Sequence, residues 1–205
     1  MLAVVVALAV CGIVWLVVRD GGPAVSAAGT AAGGTSGAAP GSTEQAAGPS
    51  GRPSSADAAR EQAEAMDSLL TESGEARSGL GPALDRLRSC TDTSAALATV
   101  ERVTEIRREQ VSRVETLAVD ALDGGERVRE SLAEALTASR DADEKFLAWA
   151  ARQDADCRPG SVDDPDYRGG LSHSTEATAA KRAFLAAWNP LAVRYGLPER
   201  AEHEI

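Results

Sequence analysis

From Asp57 onward, apolar residues recur at helical spacing, and no stretch alternates between apolar and polar residues as a strand would. Four segments carry this period, and short connections rich in Gly, Pro, Asp and Ser join them. The pattern predicts an all-α fold in which residues 57–205 form an antiparallel four-helix bundle with up-down-up-down topology. The predicted core stripes are, in chain order, Ala63, Met66, Leu70, Leu80, Leu84 and Leu87; Leu97, Val100, Val103, Ile106, Val114 and Leu117; Val128, Leu132, Leu136, Ser139, Ala142, Phe146 and Trp149; and Ala177, Ala180, Phe184, Trp188 and Leu191.

Capping and breaking residues predict where these helices begin and end. Asp57 is the expected N-cap of the first helix, which the Gly79–Pro82 stretch is expected to kink or split. The second helix should begin in "TDTS" and end before Gly124. After a loop over 154–170, the fourth helix should break at Asn189–Pro190 and restart as a short C-terminal helix.

Residues 2–18, "LAVVVALAVCGIVWLVV", contain no charged side chain and predict a transmembrane helix within residues 1–19. As a helix they would rise about 26 Å, at the short limit for a bilayer core of roughly 30 Å. Trp15 and Arg19 lie where interfacial residues are expected. A cleaved signal peptide, with a small-residue site near Val25–Ala27, is an alternative. A lipidated Cys11 fits less well, because a lipidated cysteine should begin a polar tether and more apolar residues follow this one.

Residues 20–56 are rich in Gly, Ala, Ser and Pro and contain no Leu, Ile or aromatic residue. Such a stretch buries too little apolar area to offset its ordering entropy, so we predict a disordered linker with a reach of about 35 Å. A spacer of this length suits a domain outside the cytoplasm. The positive-inside rule weakly favours a cytoplasmic C-terminal part instead, because Arg19 follows the span and no basic residue precedes it.

Two cysteines lie near predicted helix ends, Cys90 after the first helix and Cys157 after the third. The first and third helices of an up-down-up-down bundle run parallel, so these ends should meet at one pole. We therefore predict a Cys90–Cys157 disulfide, which persists only outside the reducing cytosol. A zinc site would need more ligands than His173 and His203 add, and a nucleophilic thiol would need a neighbouring base that the sequence does not show. Unpaired thiols are the remaining alternative.

Other polar motifs have simpler structural interpretations. The loop "DADCRPGSVDDPDYRGG" holds five aspartates that could bind calcium, but it lacks EF-hand spacing, and Asp164 could instead cap a helix that starts at Pro165. His173 lies between two serines in "GLSHSTE", where capping of a helix start explains the hydroxyls without a hydrolase site.

The aromatic residues of the third and fourth segments have two interpretations. At helical spacing they indicate core, while as a group they could line a ligand pocket. The candidate lining residues are Phe146, Trp149, Phe184 and Trp188. The Arg107–Arg108 pair indicates a solvated face, although an inward arginine could bind an anion.

The net charge of −10 disfavours binding to nucleic acid, because an acidic chain gains nothing from phosphate counterion release. The stretches "LLTESGEARSGLGPALDRLRSC" and "ATAAKRAFLAAWNPLAVRYGLP" resemble uncharacterised membrane-anchored envelope proteins of actinobacteria, a group without an assigned activity. The resemblance covers most of residues 67–205 and implies an envelope location and a helical fold.

These observations predict a single-pass membrane protein with a C-terminal bundle outside the cytoplasm. We expect the bundle to bind a protein or envelope component, without catalysis, a metal or another cofactor. The bilayer would be a second partner, through residues 1–19. A ligand-sensing bundle that acts through a membrane partner is the alternative, and an exported all-α enzyme is a third possibility.

Overall fold

A computed structural model describes residues 54–205, and these residues form four α-helices with no strand. The predicted all-α fold is confirmed for this range. The predicted transmembrane helix and almost all of the predicted linker lie outside the described residues. Within the described range, no helix combines the length and apolar character needed to cross a membrane. The elements are α1 (Ser55–Arg88), α2 (Thr93–Glu115), α3 (Gly125–Ala155), α4 (Pro165–Arg194) and a 3-10 turn (Glu202–Glu204).

Hydrogen bonds between helix ends show that consecutive helices run antiparallel. Gln62, in the first turns of α1, donates to Asp120 beyond the end of α2 (2.7 Å). Ser94, at the start of α2, donates to Asp154 at the end of α3 (2.8 Å). Arg194 at the end of α4 likewise reaches Asp123, just before α3 (3.3 Å).

Both α1 and α4 begin at residues whose side chains bind free backbone N–H groups. Ser54 caps α1 in a capping box with Asp57, so this helix starts two residues before the predicted Asp57 cap. Asp164 caps α4 by accepting from the backbone of Asp166 (2.8 Å), and Pro165 occupies the first turn. The capping interpretation of Asp164 is therefore confirmed, and the loop before α4 ends earlier than residue 170.

Neither internal proline ends its helix. α1 runs through Pro82 as one helix, so of the predicted kink or split the split is wrong, and a kink stays a prediction. α4 runs through Pro190 without the predicted restart. Both prolines lie on exposed faces, where water can bind the carbonyl that each leaves without a helical N–H partner. The one helical turn after α4 in the described range is the 3-10 turn.

α2 ends at Glu115, well before Gly124. The apolar residues that extended its period belong instead to the connection to α3, which folds back onto the core. Val119 and Leu122 are buried there, and the half-buried Leu117 packs against the same core cluster.

Residues 197–205, called here the C-terminal segment, fill the space between α1 and α4, which contact each other little directly. Asn189 of α4 binds both the N–H and the C=O of Arg200 (3.0 Å each), and the Arg200 guanidinium binds Asp67 of α1 (2.7 Å). Ile205 is fully buried in the core. The bundle therefore has a fifth component, largely without regular helix, that the apolar period did not predict.

The core consists of two apolar clusters at opposite ends of the bundle. One joins the N-terminal half of α1 to the C-terminal half of α4, around Leu70, Leu132 and Trp188. The other lies near the disulfide, around Leu87, Trp149 and Tyr167. Buried polar side chains separate the two clusters at mid-height.

Candidate functional site

The buried polar residues form a layer to which all four helices contribute. Each occupies a position that the helical period directs inward, so a polar side chain stands where the neighbouring turns place apolar ones. The polar layer comprises Ser73 of α1; Thr104, Arg107 and Gln110 of α2; Ser139 and Asp143 of α3; and Lys181 of α4.

Arg107 is the centre of the polar layer. Only 2% of the residue is exposed, and its Nη1 donates to Gln110 Oε1 (2.9 Å) and to Ser73 Oγ. Its Nε lies 3.7 Å from Asp143 Oδ2, which is an ion-pair distance but too long for a hydrogen bond. Within residues 54–205, neither of these two atoms has a hydrogen-bond partner. Gln110 Nε2 is likewise without a partner there, so the layer contains two buried donor atoms and one buried acceptor atom that the described residues do not satisfy.

Lys181 brings a second buried cation to the layer, and it too is only 2% exposed. Its Nζ donates to the backbone oxygen of Ile205, so the C-terminal segment covers this side of the layer. No carboxylate side chain of the described residues lies within ion-pair distance of Lys181. Asp143 therefore pairs with Arg107, and Lys181 is bound by the C-terminal segment instead.

Burial shifts the ionisation of these groups toward their neutral forms. It raises the pKa of Asp143 to about 6, although the charges of Arg107, Lys181 and Arg77 oppose the shift. It lowers the pKa of Lys181 to about 7, and the nearby guanidinium groups of Arg77 and Arg107 lower it further. The pKa of Arg107 is also lowered by burial, against the attraction of Asp143. The charge of the layer therefore changes within the physiological range.

A small cavity of about 30 Å³ opens onto the polar layer. Arg107 and Asp143 form part of its wall, and the exposed Arg77 of α1 lines it together with Ser139 and Ser174. About 10–15 Å³ is enough to hold a water molecule, so the space admits ordered water beside these polar groups.

A larger groove of about 470 Å³ lies at the N-terminal end of α1, where the first four turns of that helix meet the end of α2. The half-buried Leu117 and three alanines provide its apolar surface, whereas Leu69 is only 1% exposed. Glu61 and Arg113 add charge, but Arg113 is held by Glu72 in a two-point ion pair. The groove is lined by Ala58, Glu61, Gln62, Ala65, Leu69, Arg113, Thr116, Leu117 and Ala118.

The predicted Cys90–Cys157 disulfide is confirmed. It joins the end of α1 to the end of α3, with the two Cα atoms 5.7 Å apart. A backbone hydrogen bond from Gly160 to Arg88 (2.9 Å) adds to the connection. The pole opposite the groove is thus closed covalently.

The four aromatic residues proposed for ligand lining lie in the core. Phe146 and Trp149 pack with Tyr167 in one cluster, while Phe184 stacks on Trp188 in the other (centroids 6.2 Å apart). All four are at most 3% exposed, and none lines the cavity or the groove. This is the packing that the core interpretation expects, and a role in ligand binding stays a prediction.

Arginine and lysine side chains bind two of the aspartates in the stretch "DADCRPGSVDDPDYRGG". Arg152 binds both Asp164 and Asp166 (2.7 Å each), and Lys145 also binds Asp166 (3.0 Å). No group of three or more metal-ligating side chains is found in the described range. These carboxylates therefore connect the end of α3 to the start of α4.

His173 lies on α4 with its Nδ1 3.1 Å from Glu176. Because α4 already begins at Pro165, Ser172 and Ser174 lie inside the helix, and their assignment as helix-start caps is wrong. The Thr175 hydroxyl donates to the backbone of Leu171 within the same helix (3.1 Å).

The solvated-face interpretation of the arginine pair holds for one of the two residues. Arg108 is exposed and pairs with Glu105 and Glu144 (3.2 Å each), whereas Arg107 points into the core. Asp143 and Lys181 were not predicted. Their spacing could have indicated burial. Asp143 lies four residues after Ser139 and three before Phe146, and Lys181 lies four after Ala177 and three before Phe184.

Comparison of the chain with family models, with curated proteins and with solved structures found no match. The function is therefore argued from the residues and their geometry.

Proposed function

We propose that this chain is a single-pass membrane protein of the cell envelope whose helical bundle lies outside the cytoplasm and binds a partner protein, without catalysis. The observation that carries the proposal is the groove at the N-terminal end of α1. It combines apolar surface with an open shape, at a place where alanines and the half-buried Leu117 line a space open to solvent.

The location rests on two features. Residues 2–18 are apolar and uncharged, as an anchor requires. The Cys90–Cys157 disulfide fits an oxidising compartment, because cytosolic thiols are kept reduced. The resemblance to envelope proteins agrees with both.

The groove's chemistry favours a helical segment of a protein as its occupant. Ala58, Ala65 and Ala118 leave room for a backbone to approach closely, and Leu117 offers apolar contact. Arg113 is neutralised by Glu72, so the negative charge of Glu61 is the one that the groove offers to a partner. The matching segment would carry apolar residues with a Lys or Arg placed to meet Glu61.

Site-specific photo-crosslinking in intact cells tests this proposal. A photo-reactive benzoylphenylalanine is placed at Ala65 in the groove and, as a matched control, at the exposed Ala183 on α4. We expect one discrete protein adduct from position 65 and none of that size from position 183. The adduct should be lost in the Glu61→Lys background and kept with Glu64→Lys, which reverses a charge outside the groove.

Identical adducts from both positions, or an adduct that Glu61→Lys leaves unchanged, would overturn the groove as the binding surface. An adduct with lipid or glycan instead of protein would show that another envelope component is the partner.

A further inference from the structure

The C-terminal segment binds the rest of the bundle as a peptide binds a groove. It fills the space between α1 and α4, called here the seam, and these two helices contact each other little directly. Its hydrogen bonds to other described parts of the chain all go to α1 and α4. The seam therefore carries the groups that recognise this segment.

Two side chains anchor the segment in the seam. The Arg200 guanidinium donates to Asp67 Oδ1 and Thr71 Oγ1 of α1 (2.7 Å each). Asn189 of α4 binds the N–H and the C=O of the Arg200 backbone (3.0 Å each), as a neighbouring strand would bind an extended peptide. Ile205, five positions further on, is fully buried. The seam thus recognises an arginine followed five residues later by an aliphatic side chain.

The charges of the seam and the segment are complementary. The segment carries one arginine and three glutamates, Glu199, Glu202 and Glu204. Arg182 of α4 binds both carboxylate oxygens of Glu202, and Lys181 of the same helix donates to the backbone oxygen of Ile205. The α4 side of the seam therefore attracts an acidic peptide.

The connection between α4 and the segment is short and lightly held. Gly196 adopts a left-handed backbone (φ 72°), and among the described residues no backbone hydrogen bond holds Pro198 or Glu199. Rotation within residues 195–199 would move the segment out of the seam and leave the four helices in place. Five extended residues reach at most about 17 Å, so the segment can enter only a seam that lies close to the end of its own α4.

We propose that the seam is a peptide-binding site for a second copy of this chain, and that two copies associate by exchanging residues 197–205. A second copy carries the sequence that the seam already binds, so each contact that is lost within one copy is regained between the two. The exchange then costs mainly the association of two molecules. Copies held in one membrane by the proposed anchor meet at a raised local concentration, which favours association.

Two complementary charge reversals test the exchange. Asp67→Arg and Arg200→Glu each place like charges together within one chain, whereas exchange between the two variants puts opposite charges together at both seams. We expect differently tagged full-length variants, mixed in detergent, to co-purify about tenfold better than either variant does with itself. The matched control is Glu72→Arg mixed with Arg113→Glu. These reverse an ion pair between α1 and α2, which the connection after α4 cannot exchange, and should not co-purify. Equal recovery of mixed and self pairs from folded seam variants overturns the proposal.

A second readout does not depend on how the charge variants fold. Isotope-labelled full-length chains carrying benzoylphenylalanine in place of Glu199, which lies beside Arg182 and Asn189 of α4, are concentrated in detergent with unlabelled wild-type chains and illuminated. A labelled segment peptide joined to an unlabelled α4 peptide supports exchange between copies. Adducts confined to labelled peptides overturn it, because the segment then occupies the seam of its own chain alone.

Discussion

At the scale of single residues, Asp143 and Lys181 make the stability of the bundle depend on pH. The raised pKa of Asp143 means that the folded chain binds a proton more tightly than the unfolded chain between about pH 4 and 6. The free energy of unfolding therefore falls as pH rises through that window. The lowered pKa of Lys181 acts in the opposite sense above pH 7, so stability recovers toward alkaline pH.

Replacing Asp143 by Asn should remove the fall in the free energy of unfolding between about pH 4 and 6. Relative to wild type, the variant should gain on the order of 2 kcal/mol as pH rises from 4 to 6, because it has no carboxyl to ionise in the core. Urea unfolding of both proteins across this pH range measures this difference in the free energy of unfolding. Glu144→Gln, which neutralises the exposed neighbouring carboxylate, is the control and should run parallel to wild type.

Lys181→Met completes the same experiment on the alkaline side. The rise in stability between pH 7 and 10 should flatten, since Met has no proton to lose. Parallel pH curves for wild type and both variants would show that neither buried group ionises as inferred.

The polar layer marks what sequence reasoning missed at this scale. The apolar stripes above and below the polar layer were predicted, and Ser139 was assigned to the inner face. Arg107 was interpreted as solvated, and Asp143 and Lys181 were not predicted, because burial of a charge is costly unless partners from other helices compensate it. Those partners come from distant parts of the chain, which a local period does not reveal.

At the scale of elements, the C-terminal segment holds α1 and α4 together. Gly74 permits this contact, since a Cβ at that position would come within 2.7 Å of the Glu204 backbone oxygen. The segment therefore depends on a glycine in the middle of a helix, where glycine otherwise costs about 1 kcal/mol relative to alanine.

Gly74→Ala should destabilise the protein by roughly 1–3 kcal/mol, because the C-terminal segment must move away from α1. Amide hydrogen exchange should show faster exchange in residues 197–205. Gly79→Ala is the matched control in the same helix. Its Cβ would meet only Thr99 at 3.5 Å, so it should stabilise by about 0.5–1 kcal/mol. Equal effects of the two substitutions would contradict the assigned contact.

The helices themselves were largely predictable, because their apolar period is long and uninterrupted by strand-like alternation. The prolines were given too much weight as helix breakers. Burial of Ala83 and Leu87 favours continuation of α1 past Pro82, and burial of Leu191 and Ala192 favours continuation of α4 past Pro190. The C-terminal segment has no period at all, and its position follows from side-chain contacts such as Arg200–Asp67.

At the scale of the whole molecule, one covalent bond connects fold and location. The Cys90–Cys157 bridge spans 67 residues, and closing such a loop stabilises a fold by about 4 kcal/mol in the chain-entropy model. A bundle poor in aromatic side chains gains much from this constraint. The same bond agrees with the proposed position outside the cytoplasm, downstream of an apolar N-terminal segment.

The state of Cys90 and Cys157 in protein isolated from native membranes tests this account most directly. Free thiols are alkylated at lysis, and peptides are then mapped without reduction. The account predicts a linked peptide pair containing both cysteines, recovered from the membrane fraction. Full alkylation of both cysteines would contradict it, since the bundle would then reside in a reducing compartment without the bridge that closes one of its poles.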